Sequence, residues 1–236
     1  MSTAHATLLA EIATANRILA HHGVVDAFGH VSVRHPEQPD HFLLARSMAP
    51  GTVTADDIMV FGPSSEAVNG DERRPYLERY IHGEIYLARP DAISIVHSHS
   101  PSMVPFGVVP SVKLRPVFHM SGFLGKGAPV FEIRCCAGDD SDLLIRNRAL
   151  GAALAKSLGE DTTVLMRGHG STVVGGSLHE AVYRAIYAEV NAKIQATSMQ
   201  LGDVTYLTEG EAQAAMTTNR GQLARAWNLW TSQIGT

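Results

Sequence analysis

Ala92-Ile-Ser-Ile-Val96 is an apolar run followed at once by His97-Ser-His-Ser-Pro101. A short apolar run bounded by Arg89-Pro90 before it and Pro101 after it reads as a buried strand. Residues two apart on a strand share a face, so His97 and His99 project two imidazoles into one space. Strand ends are where layered α/β domains place their ligands. Two imidazoles at such an end are half of a metal site.

Other strands are expected at Val31 to Arg34, Phe42 to Ala45, Ile58 to Phe61, Val130 to Arg134, Thr163 to Met166 and Ser171 to Val174. The N-terminus from Met1 reads as an amphipathic helix, its apolar spacing clearest from Leu8 to His22, with Gly23 placed to stop it. Further helices are expected over Tyr76 to Ala88, Ser102 to Val108, Asp140 to Leu158, Ser177 to Met199 and Glu209 to Trp230, with a helical turn at Thr54 and a loop over Gly62 to Pro75. Some strands follow one another directly and others are separated by helices. That pattern predicts an α/β layered fold with a mixed sheet, spanning 1–236 as a single domain.

Composition narrows the function. The chain has 236 residues, 45% hydrophobic and 18% charged, the profile of a folded globular protein. Its formal net charge of -4 gives no electrostatic support for nucleic acid. No apolar stretch reaches the ~20 residues of a membrane span, and the N-terminus lacks a signal-peptide pattern, so a cytoplasmic protein is expected. Cys135 and Cys136 are adjacent, a poor geometry for a bridge, and read as buried small side chains near a strand.

The chain carries 12 histidines, and position must decide what each does. His169 sits between Gly168 and Gly170 in a second strand–turn–strand segment, where the glycines permit a tight turn and close approach. A third imidazole there would complete a three-histidine set with positions open for substrate. Glu78 and His82, spaced i, i+4, share a helical face. Glu78 is open to three roles: ligand, acid–base group, or both.

Five segments in order, Gly29-His-Val-Ser-Val-Arg34, Asp56-Asp-Ile58, Glu78-x-x-x-His82, Val96-His-Ser-His99 and Gly168-His-Gly170, resemble the class II aldolase/adducin family over roughly Leu8 to Ala196. The resemblance implies a three-layer α/β/α sandwich around a central mixed, largely antiparallel sheet. It implies a homotetramer with active sites near subunit interfaces. It also implies one divalent metal ion per subunit, Mn2+ or Zn2+, on His97, His99 and His169, with Glu78 as the catalytic acid–base group.

The departures from the family bear on substrate. Its sugar-phosphate enzymes carry Gly-Asn where this chain has Gly29-His30, a Thr-Pro-Ser/Thr-Gly-like loop where it has Ala45-Arg-Ser-Met48, and Ser-Ser where it has Tyr76-Leu77. The small phosphate donors are thus replaced. The literal Pro63-Ser-Ser-Glu66 is a decoy, with no His four residues after Glu66. Arg46 could clamp a carboxylate in bidentate fashion. His30, Ser32, Arg46 and Ser47 are the substrate-binding candidates, and His119 is open to either the site or an interface.

This variant resembles the decarboxylase branch, which acts on hydroxylated aromatic or pyridine carboxylates. The nearest substrate it suggests is 3-hydroxy-2-methylpyridine-4,5-dicarboxylate of vitamin B6 degradation. The alternative is a metal-dependent aldolase cleaving a non-phosphorylated hydroxy-keto acid. An iron oxygenase is a further rival, separable by oxygen dependence. A non-enzymatic adducin-like head domain is disfavoured because the three histidines and Glu78 are all present.

Overall fold

The computed structural model describes residues 3–68 and 70–235. Met1 and Ser2, where the expected first helix begins, and Asn69, in the expected 62–75 loop, lie outside the described residues. The strands are β1 (His30–Arg34), β2 (Phe42–Ala45), β3 (Ile58–Phe61), β4 (Ser94–Ser98), β5 (Val130–Phe131), β6 (Thr163–Met166) and β7 (Gly170–Gly175). They form one sheet in the order β3-β2-β1-β4-β7-β6-β5. Only the β5–β6 pair is parallel, so the sheet is mixed and largely antiparallel as expected.

The helices are α1 (Thr3–His21), α2 (Arg79–Ala88), α3 (Val104–Val108), α4 (Arg134–Ala137), α5 (Arg148–Leu158), α6 (Leu178–Leu201), α7 (Glu209–Arg220) and α8 (Leu223–Gln233). Because side chains alternate along a strand, the sheet has two faces to bury, and helices cover both. On one face Val31, Leu43, Val96 and Leu165 pack with Ile12 and Ile18 of α1, Ala181 and Ala185 of α6, and Trp230 of α8. On the other Phe42, Leu44, Ile95 and Val164 pack with Ile81 and Ile85 of α2 and Leu154 and Leu158 of α5. The neighbours Leu43 and Leu44, like Ile95 and Val96, therefore serve opposite layers of an α/β/α sandwich.

Local chemistry sets several helix starts. Asn147 caps α5 by accepting from Leu150 N, Ser177 caps α6 by accepting from Glu180 N, and Thr208 with Glu211 forms a capping box on α7.

Five expectations need correction. Helix α2 begins at Arg79, not Tyr76, and Glu78 is its N-cap residue with φ -93 and ψ 19. Helix α5 begins at Arg148, not Asp140, because Leu143 takes φ 69 and breaks any helix through it. The expected strand to Arg134 ends at Phe131, since Ile133 is already helical (φ -64, ψ -26), and Cys135 and Cys136 are exposed on α4 rather than buried. The last expected helix is two, parted at Gly221 and Gln222. Among the described residues, no helix is long and apolar enough to cross a membrane.

Candidate metal centre

Strand β4 runs two residues further than its apolar run, so His97 lies inside the sheet and His99 just past its end. His97 pairs with His30 of β1 on one side and Thr172 of β7 on the other. The β6–β7 turn brings His169 to the same place. Gly168 supplies φ 65 for that turn. A Cβ on Gly170 would stand 2.1 Å from Ser98 O, so only glycine lets the turn close onto β4. Glu78 enters from the start of α2.

These four side chains converge: one ligand atom from each of Glu78, His97, His99 and His169 lies within 4.8 Å of all the others. Glu78 Oε2 stands 3.5 Å from His97 Nε2 and 3.4 Å from His169 Nε2. His99 Nε2 and His169 Nε2 are 3.0 Å apart.

The outer nitrogens show which atoms are free to ligate. His97 Nδ1 donates to Ser171 O at 3.1 Å, and His169 Nδ1 donates to Leu143 O at 3.0 Å. A carbonyl can only accept, so each Nδ1 carries the proton and each Nε2 presents a lone pair inward. His97 Nε2 is fully buried with no hydrogen-bond partner. Bare nitrogens facing one another and a carboxylate across a few ångströms suit a divalent cation.

The electrostatics agree. Burial alone would raise the Glu78 carboxyl, but positive charge at the His97 and His169 imidazoles, where a bound cation would stand, outweighs it and holds it well below the usual carboxylate range. Its other oxygen, Oε1, accepts from Ile145 N at 2.9 Å. His99 is lowered to about 4 by burial and by its imidazole neighbours. The loop after His99 is anchored by the buried carboxylate of Glu189 on α6, which accepts from Ser100 Oγ, from Ser102 N at 3.1 Å and from Ser102 Oγ at 2.6 Å.

Beside this cluster lies a second histidine pair. His30 Nδ1 is 2.7 Å from His82 Nε2, His82 Nδ1 is 2.6 Å from Ser32 Oγ, and Ser32 Oγ is 2.8 Å from Tyr86 Oη. Burial lowers both imidazoles, His82 to about 3. His82 therefore does not join Glu78 at the cluster, although the two share a helix.

Glu78, His97 and His99 of this cluster line a cavity of about 540 Å³. Its walls are mostly apolar: Phe28, Met48, Ala49, Tyr76, Leu77 and Leu144, with Ser47, Arg74 and His30 among them. Two bonds stitch the wall, Ser47 N to Arg74 O at 2.8 Å and Tyr76 Oη to Met48 O at 2.5 Å. Burial pushes the Tyr76 hydroxyl up to about 12, so it stays a donor.

Of the sequence candidates, His30 and Ser47 reach this wall. Ser32 is wholly buried behind His82, and Arg46 is paired with Asp57 at 2.7 Å, so neither lines the cavity. His119 is exposed and also lies off the wall. Glu66 pairs with Arg79 at 2.8 Å, away from the cluster, as a decoy should. Sequence reasoning missed Phe28, Arg74 and Leu144. The first two had a weak signal, since each lies within four residues of a segment already singled out. Leu144 had none.

The profile of the class II aldolase and adducin N-terminal domain matches residues 10–196. The decarboxylase tropJ of Talaromyces stipitatus is 43% identical, covering 93% of this chain and 91% of its own. A 3,4-dihydroxyphthalate decarboxylase of Arthrobacter keyseri is 32% identical, covering 82% of this chain and 80% of its own. Among solved structures, an L-fuculose 1-phosphate aldolase from Glaciozyma antarctica superposes with TM-score 0.79 over 98% of this chain and 89% of its own, at 22% identity, a likeness of fold.

Proposed function

This chain belongs to the class II aldolase and adducin family, and we propose that within it the protein is a metal-dependent, non-oxidative decarboxylase releasing CO2 from a hydroxylated aromatic carboxylate. The observation that carries this reading is the pairing of the three-histidine cluster and Glu78 with a cavity walled by Phe28, Met48, Tyr76 and Leu77. Such walls suit a planar ring and offer little to a sugar phosphate. The names of the two decarboxylase relatives support it, and the 3,4-dihydroxyphthalate enzyme favours a benzene ring over the pyridine dicarboxylate.

His97, His99 and His169 would hold one divalent ion, Mn2+ or Zn2+. When bound, the ion supplies Lewis acidity that favours an ionised ortho hydroxyl. Glu78 Oε2 takes the proton from that hydroxyl and returns it to the ring carbon bearing the carboxylate. The ring is then keto-like and accepts the electrons of the breaking C–C bond. CO2 leaves and aromaticity returns. Ile145 N–H holds Oε1, so Oε2 is the oxygen that faces this work. The ring lies among the apolar walls, which exclude water. His30 and Ser47 face the substrate. Ser32 acts through His82, and Arg46 braces the wall through Asp57. The whole chain works as one domain in a cytoplasmic homotetramer, and light scattering on the purified protein tests the tetramer.

The decisive experiment is an anaerobic CO2-release screen against dihydroxyphthalates, hydroxybenzoates and pyridine dicarboxylates with added Mn2+ or Zn2+. CO2 with the matching arene is the expected product. Pyruvate or an aldehyde from a hydroxy-keto acid, with no CO2 from any arene, would overturn the reading in favour of the aldolase.

A further inference from the structure

The cavity holds one group whose charge nothing in the fold uses. Arg46 is committed to Asp57 at 2.7 Å. Arg73 is committed to Asp71 through several bonds, 2.5 Å at the closest. Arg79 is committed to Glu66 at 2.8 Å. Arg74 stands among these three, its backbone carbonyl tied to Ser47 N at 2.8 Å. Among the described residues its guanidinium makes no hydrogen bond and no ion pair. Arg74 is exposed and lines the cavity together with Ser47 and Met48, and among the described residues it is the only Arg or Lys in that lining.

The fold thus neutralises each neighbouring arginine and leaves the one on the cavity wall unpaired. An unpaired guanidinium beside a mostly apolar wall presents five N–H donors in a planar fork, which match a carboxylate in bidentate fashion. We propose that Arg74 binds a second carboxylate of the substrate, one that does not react, and so makes the enzyme select aromatic dicarboxylates over monocarboxylates. This assignment rests on the decarboxylase reading above. It replaces Arg46, the arginine that the sequence puts forward for the same task, because Asp57 already occupies that guanidinium.

The backbone tie makes the position firm while the side chain stays free. Removing the guanidinium breaks no internal bond, so Arg74→Met should fold and melt like the parent protein. That separates a loss of recognition from a loss of structure.

The probes are 3,4-dihydroxyphthalate and 2,3-dihydroxybenzoate. The second keeps a carboxylate ortho to a hydroxyl and lacks only the other carboxylate. Binding to metal-loaded protein is read by titration calorimetry, and KM and kcat by CO2 release. The parent protein should bind the dicarboxylate more tightly. Arg74→Met should weaken dicarboxylate binding roughly 10- to 100-fold, the range of a charge-assisted hydrogen-bonded pair, through KM with kcat little changed. Monocarboxylate binding should move by less than about threefold, and Arg74→Lys should recover part of the loss. Equal losses on both probes, or none on either, would overturn Arg74 and leave the decarboxylase reading standing. Failure of the parent protein to bind or turn over either probe would overturn both.

Discussion

Two sets of histidines lie side by side across β1 and β4, and they are wired in opposite ways. His97 and His169 give their Nδ1 protons to the carbonyls of Ser171 and Leu143, which leaves Nε2 bare and aimed inward. His30 and His82 bond to each other, and His82 bonds on to Ser32, whose hydroxyl bonds to Tyr86 Oη. The ring centroids of His30 and His97 are only 5.1 Å apart, so proximity does not distinguish the sets. The partner of the second nitrogen does. A carbonyl fixes the tautomer that leaves a ligand, whereas a hydroxyl or another imidazole can give or take and fixes nothing.

The largest effect that tests this contrast is on metal content. His97→Ala should lower bound metal from one ion per chain to almost none by elemental analysis and abolish turnover. His82→Gln should leave the metal in place. Metal retained in the first protein, or lost in the second, would break the distinction. Next comes chemistry without loss of metal. Glu78→Gln keeps an oxygen for Ile145 N–H yet cannot carry a proton, so CO2 release should fall roughly 100- to 10,000-fold while the ion stays bound. Near-parental turnover would remove Glu78 from the mechanism.

How much of this was legible in the sequence follows from range. The strand β4 and its two histidines announce themselves through apolar run and spacing, and the Gly168-His169-Gly170 turn through its glycines. Both signals are local. The carbonyls of Leu143 and Ser171 carry no side-chain signature, and Leu143 lies in a stretch whose pattern reads as helix. The helix is absent there because Leu143 takes a left-handed conformation and Ile145 N–H goes to Glu78. Tertiary demand overrode local propensity at the point where the site needed it. Arg46 misled for a similar reason: Asp57, eleven residues on, had already claimed its charge. Cys135 and Cys136 misled because the strand expected to reach Arg134 stops at Phe131, and the chain turns into α4 instead.

The pH dependence of stability sharpens the contrast further. Burial, followed by the charge of His97, holds His82 at about 3, against 6.5 for a free imidazole. As pH falls below 6.5 the unfolded chain takes up a proton that the folded chain refuses until about pH 3. Stability from this group is therefore complete above pH 6.5 and declines through that window, by up to ~1.4 kcal/mol per pH unit. Urea unfolding of metal-free protein between pH 7.5 and 5 should show a shallower decline for His82→Gln than for the parent. Identical slopes would mean that His82 is charged in the folded state.

The smallest expected effect isolates the relay from the ligands. Ser32 Oγ is the hydroxyl between His82 and Tyr86, and it is wholly buried. Ser32→Ala removes little volume but leaves His82 Nδ1 without its partner, at a cost of about 1–3 kcal/mol. For a chain of this size that corresponds to a melting temperature lower by roughly 2–10 °C. Among the described residues the Tyr86 hydroxyl then keeps only its long contact of 3.5 Å to Ile93 O. The ligand nitrogens keep both their carbonyl partners, so metal content should not change, and turnover should fall only as far as His30 loosens. If the metal were lost with the serine hydroxyl, the two sets would be one network, and the carbonyl partners of His97 and His169 would not be what makes them ligands.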